Sequence, residues 1–146
     1  MAVTISLYNN AVKRLVNKEV ALTTLRAMLL DNTASFLATD ATLVAVAGSG
    51  HAKEVDGSGW TTGGETLTGV AVTIVTTNDA MLDADDIVVT ASGSPIGPAY
   101  ACVIYDDTDA SDAPLVYIDF GAAQTAGDTT DFKIVFHASG IISFTY

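Results

Sequence analysis

Two histidines (His51 and His137), one cysteine (Cys102) and seventeen acidic side chains are the groups in this 146-residue chain best equipped to attack a substrate or hold an ion. Their spacing suits neither task. The histidines lie far apart, and no G-x-S-x-G turn presents a serine. Cys102 sits inside an apolar alternating run, the setting of an inert core thiol and not of an accessible, electropositive thiolate. Transition-metal sites need clustered C-x-x-C or H-x-x-x-H spacings, and the sequence has none. His137 falls on the outward side of its strand pattern and reads as a surface residue.

Hard oxygen ligands are better represented. Residues 83–86 (DADD) and 106–112 (DDTDASD) concentrate carboxylates as a calcium loop does. Counted from Asp107, however, an EF-hand would want glycine where Asp112 stands and glutamate where Ile118 stands. The plainer reading is a pair of solvated strand ends, because aspartate suits turns and charge protects sheet edges. Residues 57–64 (GSGWTTGG) are glycine-rich but lack the Lys-Thr or Lys-Ser that completes a phosphate cradle. Nothing marks any carboxylate pair as buried and shifted for sugar hydrolysis. These residues call for no cofactor.

The elements that must carry these groups are strands. Residues 3–8, 24–30, 70–75, 87–91, 100–105, 116–120, 132–136 and 142–146 alternate apolar with polar or small side chains, and Gly, Asp, Asn and Pro fill the gaps. The last two runs would pair across Ala138-Ser139-Gly140, where glycine can take a positive φ. Residues 11–22 fit either one short helix or an irregular basic connection, with Val12, Leu15, Val16 and Val20 near one face. Asp40 suits the N-cap of a helix ending at Gly48. The expectation is one mainly β domain over residues 1–146, an antiparallel sandwich or barrel with one or two short helices.

Composition narrows the partners. Six Lys and Arg against seventeen Asp and Glu give a net charge of −11, which argues against nucleic acid and against an anionic membrane surface. Residues 1–26 are the exception: Lys13, Arg14, Lys18 and Arg26 face only Glu19, a net of +3. Beyond them the cations are Lys53 and Lys133 alone. Residues 1–10 have neither a basic nor an apolar region and do not read as a secretory signal. The uncharged residues 87–105 are broken by Gly93, Pro95, Gly97 and Pro98, so they read as strands and a turn, not a membrane span. Only 16% of the chain is charged, against roughly 25% in an average soluble protein, and mean hydropathy is +0.40. So uncharged an exterior suits a molecule covered by neighbours.

Several strings carry a resemblance: residues 3–9 (VTISLYN), 60–67 (WTTGGETL), 70–73 (VAVT), 84–92 (ADDIVVTAS), 99–109 (AYACVIYDDTD), 118–121 (IDFG) and 131–146 (DFKIVFHASGIISFTY). Together they resemble small structural proteins of tailed bacteriophages, the head-associated decoration or cement proteins. That resemblance implies a β-rich fold, a homotrimer on the capsid exterior, and a clamp across neighbouring copies of the major capsid protein. It supplies no catalytic residue. The basic stretch 10–26, with Lys13, Arg14, Lys18 and Arg26, is then the expected capsid-facing segment, held by charge complementarity as well as apolar contact. An alternative is a tail-tip or receptor-binding module whose Trp60 and tyrosines stack on host carbohydrate. A third reading, a small hydrolase, lacks the paired groups such chemistry needs.

Overall fold

In the computed structural model, residues 2–76 and 79–145 are described. In chain order the first elements are β1 (Thr4–Leu7), α1 (Asn9–Val16), β2 (Leu25–Leu30), α2 (Leu43–Ala47), β3 (Glu54–Val55) and β4 (Glu65–Thr66). There follow β5 (Ala71–Thr76), β6 (Asp79–Asp83), β7 (Ile87–Thr90), β8 (Ile96–Asp106), β9 (Ala113–Ala126), β10 (Asp131–Ile134) and β11 (Ile142–Thr145). Every strand pairing is antiparallel, as the alternating sequence predicts, and the architecture is a sandwich-like stack of sheets.

The main sheet runs β1-β9-β8-β2-β3, with β4 also paired to β2. Its centre is buried on both faces: Leu115 to Ile118 of β9 and Ala101 to Asp106 of β8 are all buried. On one face, Tyr117 meets Phe36 at 5.9 Å and Phe36 meets Tyr8, just before α1, at 5.0 Å. On the other, Phe120 faces Phe132 of β10 at 6.4 Å, and Phe132 takes the edge of Trp60 at 5.5 Å. Two small sheets, β10-β7 and β11-β6-β5, form this second layer.

Several expectations need correcting. The hairpin between residues 132–136 and 142–146 does not form. β10 pairs with β7, Phe132 opposite Val89, while β11 pairs with β6, Ile142 opposite Leu82. Gly140 (φ 84°) does make the turn, but a Cβ there would sit 2.6 Å from the Leu82 carbonyl oxygen, and Ile141 N–H donates to that same oxygen at 2.8 Å. The chain is thereby steered from one small sheet into the other. Tyr146, expected to end that hairpin, lies outside the described residues. Asp40 is not the cap of α2 either; its N–H closes a turn onto Leu37, and Thr42 Oγ1 accepts from Ala45 N–H at 3.2 Å. Gly48 ends the helix with φ 83°, as expected. No helix among the described residues is long and apolar enough to cross a membrane.

Candidate interaction surface

The basic segment folds as α1, a short 3₁₀ turn at Leu22–Thr24, and the start of β2. Lys13 and Arg14 occupy the last turn of α1, where cations meet the negative end of the helix dipole. The four cations then part company. Lys13 and Lys18 are exposed and form no ion pair among the described residues. Arg26 is half-buried, held by Asp107 at 3.0 Å and donating to the Gly64 carbonyl at 3.3 Å.

Arg14 is buried, which corrects its place on an outward basic face. Its Nη2 donates to the Glu19 carbonyl (2.9 Å) and pairs with Asp106 (3.2 Å) and Asp109 (3.1 Å). The helix is rotated accordingly, leaving Val12 and Val16 exposed in place of Arg14. Asp106 is fully buried at the end of β8 and accepts from Ala21 N–H (3.1 Å), Thr108 N–H (3.1 Å) and the Thr108 hydroxyl (2.7 Å). A buried charge needs both a counter-charge and hydrogen bonds, and here it has both. This network ties the α1–β2 connection to the β8–β9 turn.

The same network occupies two of the carboxylates in residues 106–112. The cation between Asp106 and Asp109 is the guanidinium of Arg14. The Asp109 carboxyl is held below its usual range, first by hydrogen bonds from the Ser111 side chain and backbone and further by Arg14. Among the described residues no three His, Cys, Asp or Glu side chains converge as a metal site would require.

Other sequence candidates are placed plainly. Cys102 is buried, and desolvation pushes its thiol pKa up, against reactivity. His137 is exposed beyond β10. His51 Nδ1 lies 3.6 Å from Glu54 Oε2, and burial raises the Glu54 pKa although Gly63 N–H donates to it at 2.6 Å. Trp60 is 2% exposed beneath its glycine loop, so it is a core plug and not a stacking platform for carbohydrate. The histidines, the cysteine and the tryptophan do not come together.

Two features stand out on the exterior that pattern reading missed. The first is a groove of about 650 Å³. Its floor is β1 and β9, through Val3, Ile5, Ile118 and Phe120. Every residue from Asp131 to His137 lines it and none of β7 does, so it runs along the unpaired edge of β10. Val3 and Ile5 are left 58% and 48% exposed there. The apolar floor is thus left uncovered beside β10. The second feature is β5, at the end of its sheet, with β6 alone beside it among the described residues. All its described side chains are exposed, Ile74 at 80%, and residues 67–78 of the sequence carry no charge. The signal for both was the sequence itself, in apolar alternation that no partner strand inside the chain absorbs.

The chain matches no family model, no curated protein and no solved structure.

Proposed function

We propose that this chain is a bacteriophage head decoration, or cement, protein: a homotrimer on the capsid exterior that binds the outer surface of the major capsid protein and stabilises the head by adhesion, without catalysis. The observation that carries the reading is the pair of strand surfaces left open on a chain of net charge −11: the β1–β10 groove, where Asp131 and Lys133 pair with each other over an apolar floor, and the uncharged β5. Apolar strand surface of this kind is what an interface core uses, where charged residues are depleted. Clamping requires buried area, about 1,000 Å² or more per specific interface, and no reactive group. The resemblance of residues 3–9 and of most of residues 60–146 to phage head proteins points the same way.

Lys13 and Lys18 are the cations available to meet an acidic patch on the capsid, Arg14 being engaged inside the fold. The test is decoration of purified heads lacking this protein. Wild type should bind in many copies over the shell and raise the temperature at which heads rupture. The double variant Lys13→Glu, Lys18→Glu should bind with reduced occupancy, most clearly at low salt. Heads that take up no wild-type protein would overturn the proposal; equal occupancy by the double variant would remove the basic segment from it.

A further inference from the structure

The groove and β5 are complementary defects. One is an unpaired strand edge beside an uncovered apolar floor; the other is an uncharged strand with nothing on its outer side among the described residues. We propose that β5 of one copy adds to the free edge of β10 in the next, lying over Val3, Ile5 and Phe120 and completing the second layer there. The occupant is a second copy of this chain.

Three observations favour that occupant. An exposed, flat, apolar edge is an open template for another strand, and soluble proteins ordinarily blunt such edges with lysine, proline or an inward charge. Residues 71–76 (AVTIVT) have none of these. Copies of a chain with net charge −11 repel one another, so their contact must fall where charge is absent, and β5 is such a place. The groove adds no net charge to that repulsion: its Lys133 is paired with Asp131 of the same strand at 3.4 Å.

The lengths agree as well. Six residues of strand span about 20 Å, and the groove follows β10 and its continuation over the seven residues from Asp131 to His137. Donor and acceptor are different surfaces, so the contact is head-to-tail. Such contacts close into a ring when the rotation allows. This deepens the trimeric part of the proposed function and names its seam.

The seam is tested on isolated protein without heads, so that its failure is separable from failure to decorate. Wild type should sediment as a closed oligomer. Ile74→Asp, at an exposed position where folding tolerates change, should stay folded by circular dichroism while self-association weakens on the order of a hundredfold, since each factor of ten is about 1.4 kcal/mol. Thr73→Cys and Lys133→Cys variants, mixed and treated with a short bis-maleimide, should cross-link to each other, Cys102 being too buried to react. A monomeric wild type, an Ile74→Asp variant that still associates, or cross-linking confined to pairs of Thr73→Cys chains would each overturn the inference. A monomer that nevertheless decorates heads would sink the seam and spare the adhesion; an intact seam with no head binding would do the reverse.

Discussion

Replacing Asp106 by asparagine should be among the most damaging single-atom exchanges in the molecule. Asparagine keeps one acceptor, which can still take Thr108 N–H and the Thr108 hydroxyl. Its amide nitrogen then faces Ala21 N–H, which loses its acceptor, and Arg14 Nη2, which loses one of its three partners and meets a donor in its place. Arg14 has little in reserve. Its Nη1 is already buried without a hydrogen-bond partner among the described residues, so Nη2 serves Asp106, Asp109 and the Glu19 carbonyl by itself. A buried donor without an acceptor costs about 1–3 kcal/mol, and breaking a buried pair from one side costs about 3–5 kcal/mol.

With an unfolding entropy of about 2.1 cal/mol/K per residue, that loss lowers Tm by about 10–15 °C. Calorimetry at neutral pH and fixed protein concentration reads it directly. Arg14→Met should cost a comparable amount, about 3–5 kcal/mol, because it leaves the buried Asp106 carboxylate with hydrogen bonds but no counter-charge. Arg14→Met combined with Asp106→Leu should cost less than the two changes measured singly and summed, because neither half of the pair is left as a buried, unpaired charge. If either Asp106→Asn or Arg14→Met falls within about 1 kcal/mol of wild type, the buried network does not hold this corner of the fold.

Three further outcomes follow from the same packing. Cys102 should resist maleimide in native protein and react at once in urea, since burial raises its thiol pKa; labelling of the native form at a free-thiol rate would contradict its place in the core. Trp60→Ala should cost about 3–5 kcal/mol by urea unfolding, and native Trp60 fluorescence should respond neither to acrylamide nor to added oligosaccharide. Glu54 has a folded pKa raised above its unfolded value by burial, so its contribution is fully present below about pH 4 and is lost as pH rises through the raised value. Glu54→Gln should therefore gain on wild type as pH rises from acid to neutral, a trend that paired chemical denaturation curves would reveal and that a constant difference would refute.

Much of the strand inventory was legible because alternation is local. β1, β5, β7, β8, β10 and β11 lie on runs rich in β-branched and aromatic residues, and β2 on the alternation of Leu25, Ala27 and Leu29. β6 was not, since Asp79-Ala80-Met81-Leu82-Asp83 has acids at both ends and weak strand formers between; it is held by partners on both sides. The partnering of β10 and β11 was illegible for a related reason. A short turn with a glycine suggests a hairpin, and only the distant Leu82 carbonyl, approached by Gly140 and bonded by Ile141, sends the chain elsewhere. Arg14 was misplaced because charge on a helix usually means solvent. The clue lay ninety residues on, roughly, in an aspartate directly continuing the apolar run that ends at Tyr105.

The acidity that dominates the sequence turns out to be conformational in good part. Asp31, Asp106, Asp109 and Asp119 each accept a hydrogen bond from the backbone N–H two residues further on, the local bond that lets aspartate replace a backbone turn. Two of these, Asp106 and Asp109, also hold Arg14, so a cluster resembling a ligand set is already saturated from within. Charge placed in turns leaves β5 without it. That division puts the repulsion between copies at the turns and leaves one bare edge for the proposed seam. Moving one acid from a turn into β5 would therefore act twice, loosening the turn it left and blocking the edge it joined.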